Sequence, residues 1–328
     1  MTAVRSPLRW GLLGTARINR SIIPVIRASG RHELVAVASR RREMAEQYAR
    51  EWGIPRSFGS YADLVASPDI DAIYNPLPNA LHAEWTIEAC RAGKHVLCEK
   101  PLALSVQEVD AIAAAAARAG VVVTEAFMYR HHPQTLRLKA LVDEGAVGEL
   151  RLVRGAFTFT LTRPADVRLL PALGGGSLWD VGCYPVSMSR YLTGREPRSV
   201  VGFQAVSPSG IDEAFYGELD FGDVHAQFDC GFRAPLRTHL EVVGTSGAIT
   251  VPAPFKPGLD ERLILTRDEG TESIDVAGEP LYSGQLENFA DAVLQGTPPR
   301  IPLADSRANV LVLNALYEAA RTGSRVSV

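Results

Sequence analysis

The sequence predicts two domains in succession: an α/β domain on a doubly wound parallel sheet, then an α+β domain with a large open, mainly antiparallel sheet. Two observations predict the first. Short apolar runs near the start do not alternate with polar residues, and helical patterns separate them. One observation predicts the second: beyond residue 128 the runs begin to alternate apolar and polar positions. The expected division is therefore 1–128 and 129–328, with the C-terminal helix packing back on the first domain.

In the first part, "RWGLLG" (9–14), "ELVAVAS" (33–39), "DAIYN" (71–75), "HVLC" (95–98) and "VVVT" (121–124) read as buried parallel strands. "INRSIIPVIRAS", "REMAEQYAREW", "LHAEWTIEACRAG" and "VQEVDAIAAAAARAG" read as the helices between them, and this alternation defines a doubly wound sheet. Pro24 is expected to kink or split the first helix. Gly93 is placed to end the third. In the second part, "ELRLVRGAFTFTL", "FYGELDF", "VHAQFDC" and "RTHLEVVG" read as strands, with "GTSG" (244–247) turning a hairpin. Helices are expected over "HHPQTLRLKALVDEGAVG", "SLWDVGCYPVSMSRYLTG", 283–295 and 303–322.

Bulk properties exclude several roles. Of 328 residues, 46% are hydrophobic and 22% charged, which fits a globular chain with a real core. A net charge of −3 argues against nucleic acid as the main partner. Cys90, Cys98, Cys183 and Cys230 lack paired metal-ligand spacing, so no metal and no disulfide framework are expected. The start has no apolar core of a signal peptide and no run is long enough to span a membrane, so the expected setting is the cytoplasm.

The chemistry concentrates at strand ends. Gly14, Thr15, Ala16, Arg17 and Ile18 follow the first strand and open the first helix, where dinucleotide folds hold a pyrophosphate on backbone N–H groups. One glycine of the G-x-G-x-x-G pattern remains; Ala16 and Asn19 fill the other slots. After the second strand comes Ser39-Arg40-Arg41-Arg42, where an NAD-selective fold usually carries an acid for the ribose 2′-hydroxyl. Such cations are often only a solvated corner. A 2′-phosphate explains the missing acid, the hydroxyl and the arginines together, so NADP is expected in preference to NAD.

Pro76, Leu77, Asn79 and His82 follow the third of these strands, and Glu99 and Lys100 end the fourth. Ligands of such sheets lie beyond the carboxyl ends of the strands, which puts Lys100 beside the nicotinamide. Downstream, "GGGSLWDVGCYP" (174–185) leads three glycines into a helix carrying Asp180 and Tyr184, four apart. Taken alone, the glycines are either a close backbone approach or a flexible lead-in. With a lysine, the acid and phenol suit carbonyl–alcohol interconversion. Tyr184 exchanges the proton, because a nearby ammonium lowers a phenol from its usual pKa of about 10.

The segments "WGLLGTARI", "DAIYNPLPNALH", "AGKHVLCEKPL", "EAFMYRHHPQ", "GGGSLWDVGCYPV", "VVGTSGAITV" and "LENFADAVLQGTPPRIPLADSRANVLVLNAL" resemble the glucose–fructose oxidoreductase, inositol dehydrogenase and MocA-like family. The resemblance implies an N-terminal Rossmann domain and catalytic positions at Lys100, Asp180 and Tyr184. Tyrosine rather than histidine at 184, with "MYRHHPQ" and "SRR", is most similar to the branch of NADP-dependent xylose dehydrogenases, dihydrodiol dehydrogenases and sugar 3-ketoreductases. It implies a sugar, polyol or vicinal diol as substrate, and a homodimer or homotetramer formed through the open sheet. Arg168 and Trp179 are expected to line the substrate site. Two other classes compete, a regulator sensing NADP or a sugar and an NAD-dependent glycosidase.

Overall fold

A computed structural model describes residues 7–328; residues 1–6, the start of the first expected domain, lie outside the described residues. The chain runs β1 (Leu8–Leu13), α1 (Asn19–Ala28), β2 (His32–Ala38), α2 (Arg42–Trp52), β3 (Arg56–Phe58), α3 (Tyr61–Ala66), β4 (Ala72–Asn75), α4 (His82–Arg91), β5 (His95–Cys98), α5 (Val106–Ala119) and β6 (Val123–Glu125). It continues through α6 (Pro133–Asp143), β7 (Leu150–Thr158), a π-helical turn (Leu178–Gly182), α7 (Cys183–Thr193), β8 (Ser199–Val206), β9 (Asp212–Asp220), β10 (His225–Gly231), β11 (Arg237–Gly244) and β12 (Ala248–Val251). Last come β13 (Asp260–Arg267), β14 (Gly270–Ala277), α8 (Ser283–Gln295), α9 (Leu303–Thr322) and β15 (Val326–Ser327).

Two compact units result. The first ends at Phe127 and takes in Tyr282–Arg307; the second comprises Met128–Leu281 and Ala308–Val328. It is thus α8, with the beginning of α9, that returns to the first unit. The expected second domain had run on to residue 328.

The first unit holds a six-stranded parallel sheet in the order β3-β2-β1-β4-β5-β6, the doubly wound arrangement of dinucleotide folds. β3 adds a sixth strand to the five expected: its three residues, Arg-Ser-Phe, are too few and too polar to register as an apolar run. α1 stays one element despite Pro24, with Ile22, Ile23 and Ile26 buried beneath it. α5 begins with a capping box, Ser105 accepting from the Glu108 N–H while Glu108 reaches back to the Ser105 N–H.

The return of α8 has a packing cause. Leu286, Phe289 and Ala290 join the core of Leu8, Trp10, Leu12 and Ile22, with the Phe289 ring 5.0 Å from that of Trp10. Arg31 pairs with Glu287 at 2.7 Å and Asp291 at 2.8 Å at the rim. Burial of those apolar side chains stabilises this packing far more than half-exposed ion pairs, which contribute about 0–1 kcal/mol each.

The second unit holds a nine-stranded sheet in the order β14-β13-β12-β11-β7-β10-β9-β8-β15. β7 and β10 pair in parallel and the other neighbours antiparallel. The "GTSG" hairpin joins β11 to β12, its Gly244 N–H bonded to Gly247 O at 2.9 Å.

The helix expected over "SLWDVGCYPVSMSRYLTG" is α-helical only from Cys183. Pro185 supplies no N–H to the Val181 carbonyl, and its ring would press on that carbonyl in a regular α-helix; a wider turn relieves both problems. No helix among the described residues is long and apolar enough to cross a membrane.

Candidate active site

In the first unit the site residues follow the carboxyl ends of β1, β2, β4 and β5. Gly14 takes φ +86°, a conformation that side-chain-bearing residues rarely adopt, and a Cβ there would stand 3.2 Å from the Leu77 side chain. Its N–H bonds Ala38 O at 2.8 Å. Asn19, in a slot where the fold usually has glycine, donates from Nδ2 to Gly14 O at 2.9 Å and pins the loop of Thr15, Ala16, Arg17 and Ile18 to the start of α1.

Beyond β2, a cleft of about 420 Å³ is lined by Thr15, Ser39, Arg40, Arg41, Met44 and Tyr61. Arg42 instead lies over Gly59, so the three arginines do not act alike. Tyr61 escaped the sequence reading. It enters through the short β3–α3 connection, and neither spacing nor motif links it to Arg40. Its ring packs edge-on to Trp85 at 5.1 Å. Burial pushes its hydroxyl up, opposed by the charge of Arg40 and a hydrogen bond with it.

Asn75, the last residue of β4, is fully buried and shapes the next turn. Its Nδ2 donates to His82 O and Thr86 Oγ1, both at 3.2 Å. Pro76 and Leu77 are buried in that turn, and Asn79 begins a single 3-10 turn. His82, a candidate either for cofactor contact or for a structural role, is 1% exposed; its ring nitrogens lie 2.7 Å from the carbonyl oxygens of Pro101 and Leu77. Burial pushes its pKa down to about 4, opposed by the hydrogen bonds to the Pro101 and Leu77 carbonyls, and the ring packs between two backbone turns.

At the end of β5, Glu99 accepts from the buried Tyr74 hydroxyl at 2.6 Å and from the Lys100 N–H at 3.3 Å. Lys100 is half-buried and its peptide bond to Pro101 is cis. A second lysine, at the opposite end of β5, shows the other fate of such a group. Lys94 is buried, and its ammonium donates to the carbonyls of Ser67 at 2.7 Å and Ile70 at 2.8 Å, holding a loop in place.

In the second unit Asp180 lies in the π turn and Tyr184 is the second residue of α7. Asp180 is 8% exposed and accepts from Arg168 Nε at 2.6 Å. Arg168 also donates from Nη1 to Asp166 at 3.2 Å, and the carboxylate of Asp180, followed by its hydrogen bond and that of Asp166, raises the Arg168 pKa despite burial. The Arg168 side chain thus bridges two carboxylates and fixes the orientation of Asp180. Trp179 likewise turns inward, its ring 5.4 Å from that of Tyr317. Tyr184 is 4% exposed among Tyr129, Phe157 and Phe255, with ring separations of 5.6, 5.3 and 5.6 Å, and its hydroxyl lies 3.8 Å from Met128 Sδ. That aromatic shell comes from three separate segments, which no local pattern announces.

Lys100 therefore belongs to the first unit, and Asp180 and Tyr184 to the second. Among the described residues no cluster of three or more His, Cys, Asp or Glu could hold a metal ion. All four cysteines are buried thiols.

Residues 8–127 match the oxidoreductase family with an NAD-binding Rossmann fold, and residues 135–250 match the GFO/IDH/MocA C-terminal domain. The chain belongs to the Gfo/Idh/MocA oxidoreductase family. A relative in this family, D-xylose 1-dehydrogenase (NADP(+)) 2 of Haloferax volcanii, is 38% identical over 98% of this chain and all of its own. Trans-1,2-dihydrobenzene-1,2-diol dehydrogenase of Xenopus laevis is 32% identical over 94% of this chain and 97% of its own. A solved 3-ketoreductase from Actinomadura kijaniata, in complex with NADP and TDP-benzene, aligns with a TM-score of 0.91 at 30% identity, covering 95% of this chain and 98% of that one. Like other Gfo/Idh/MocA members, this chain is an oxidoreductase.

Proposed function

We propose that this protein is an NADP-dependent oxidoreductase that interconverts an alcohol and a carbonyl on a sugar, polyol or vicinal diol. The observation that carries the reading is Lys100 at the carboxyl edge of the parallel sheet, in a chain whose second unit carries Asp180 and Tyr184 one helical turn apart. The named activities of the relatives give the substrate class. Other solved forms of the Actinomadura enzyme carry replacements at a lysine and at a tyrosine, spaced in its chain as Lys100 and Tyr184 are here.

The residues of the first unit fit the coenzyme. Backbone at Gly14–Ile18 would hold a pyrophosphate, and Pro76, Leu77, Asn79 and Glu99 would border the nicotinamide end. Ser39, Arg40 and Arg41, with Tyr61 beside them, offer a hydroxyl and two guanidiniums to a 2′-phosphate. When bound, NADP supplies or takes the hydride at the substrate carbon. The protein's own residues do the rest. Tyr184 gives or takes the proton of the reacting oxygen, the Lys100 ammonium stabilises charge developing there, and Asp180, fixed by Arg168, orients a substrate hydroxyl. A cytoplasmic setting and a second copy of the chain complete the reading. On the nine-stranded sheet Phe203 and Tyr216 are cross-strand neighbours, 67% and 52% exposed, as an interface through that sheet requires.

The test is hydride transfer by the purified protein, followed by nicotinamide absorbance. Aldoses, polyols and trans-diols are supplied with NADP⁺ or NAD⁺, and keto-sugars and dicarbonyls with the reduced coenzymes. Turnover with NADP(H) is expected. Turnover with NAD(H) alone removes the coenzyme assignment, and tight NADPH binding without turnover makes the protein a sensor.

A further inference from the structure

We infer that Asp212, with Tyr317, is a positioning residue that sets the geometry of Asp180 and Tyr184 from outside their helix. The inference rests on the reaction proposed above. Asp212 opens β9 and is 4% exposed. Its Oδ2 accepts from the Ser177 hydroxyl and from the Leu178 N–H, each at 2.7 Å, and its Oδ1 accepts from the Tyr317 hydroxyl at 2.7 Å.

Leu178 is the first residue of the π turn that carries Asp180. A helix start leaves backbone N–H groups without partners, and ordinarily the side chain of the residue just before supplies an acceptor. Here that residue, Ser177, makes no such bond to its own helix. The acceptor comes from Asp212, 34 positions away in sequence, and Ser177 donates to the same carboxylate.

The glycines follow from this arrangement. Gly176 takes φ +127°, and a Cβ there would run into Asp212 Oδ1 and come within 2.9 Å of the Tyr317 hydroxyl. The third glycine of "GGG" thus permits a close approach to Asp212. Trp179 packs on the ring of Tyr317, so the same two residues hold the positions that lead directly into Asp180. Burial raises the Asp212 pKa, opposed by the hydrogen bonds from Tyr317, Ser177 and Leu178. A carboxylate costly to bury is retained where it gathers three donors.

The experiment compares Asp212→Ala, Asp212→Asn and Tyr317→Phe by steady-state kinetics and by amide hydrogen exchange over residues 176–184. Asp212→Ala is expected to lower kcat by up to about a hundredfold, the cost of a small displacement of reacting groups. The KM for NADP should stay unchanged, and exchange should accelerate within 176–184 alone. Asp212→Asn recovers most of the loss, because its amide oxygen still accepts from Ser177 and Leu178. Unchanged kcat in folded Asp212→Ala, or exchange that rises evenly across the second unit, overturns the inference. Should Asp212→Ala not fold, Tyr317→Phe decides: local acceleration with reduced kcat supports the inference, and wild-type behaviour overturns it. Should the wild type transfer no hydride, the reaction fails and exchange alone judges the anchor. Local acceleration then upholds it, and unchanged exchange removes it.

Discussion

At the carboxyl edge of the parallel sheet, each site residue lies within a few positions of the strand that presents it: Gly14 after β1, Ser39 to Arg41 after β2, Asn75 to Asn79 from the last residue of β4 onward, and Glu99 and Lys100 after β5. The π turn of the second unit is built differently. Asp180 is held by Arg168 at a separation of 12, Leu178 by Asp212 at 34, and Asp212 in turn by Tyr317 at 105. A site of the first kind is damaged chiefly by changes within it. A site of the second kind is open to damage from well outside, because its geometry is a sum of distant contacts.

Replacing the reacting groups has the largest expected effect and sharpens the contrast between the two regions. Lys100→Met and Tyr184→Phe should each lower turnover by about 10²–10⁴-fold, the usual worth of a positioned acid–base group. NADPH binding, measured by fluorescence titration, should persist in both. Near-normal turnover in either variant removes that residue from the reaction.

Next comes a change that would blur the contrast, since the first unit has one distant dependence of its own. Phe289→Ala deletes the α8 ring packed on Trp10 and should cost about 3–5 kcal/mol in urea unfolding, in line with large-to-small core changes. A cost below 1 kcal/mol would make α8 an ornament of that unit.

Arg40→Asp probes the local region again. It puts a carboxylate where the 2′-phosphate is expected and should weaken NADPH by more than about tenfold, the loss of one charge-assisted hydrogen bond, while NADH changes little. Equal weakening of both coenzymes would dismiss the 2′-phosphate reading.

The smallest effect concerns pH. Burial lowers the pKa of His32, His95 and His132, and that of His82 to about 4. At two of them the folded contacts need the neutral ring: His32 Nδ1 accepts from Trp10 Nε1 at 3.1 Å, and His95 Nδ1 from the Val122 N–H at 3.0 Å. Below the unfolded value of about 6.5 the unfolded chain binds protons that the folded chain refuses. This contribution to stability is therefore complete above pH 6.5 and declines as pH falls towards 4. Urea midpoints measured at pH 7, 6 and 5 should fall in that order, and a flat series would mean that these rings are charged when folded.

The strands of the parallel sheet, the hairpin at "GTSG" and the two closing helices were legible because each follows from residues close together in the chain. Buried parallel strands are uniformly apolar, and turns carry their own glycines. β3 was not legible, being three residues long, and neither were β13 and β14, whose "DERLILTR" is half exposed and "GTESIDVA" largely so. Arg168 and Trp179 stand near "GGG" in the sequence, which does not say what their side chains meet. Arg168 faces Asp180 and Asp166, and Trp179 faces Tyr317.

By itself the sequence determined that a lysine ends a buried strand, that a glycine-led loop opens a helix, and that an acid and a phenol lie four apart. These are properties of neighbouring residues and of their backbone preferences. The tertiary structure alone decided that His82 turns between two backbone carbonyls, that Tyr61 joins Arg40, and that Asp212 caps a turn whose own serine does not. Those outcomes depend on which distant groups arrive within hydrogen-bonding reach once the core has closed, and a linear pattern holds no record of that distance.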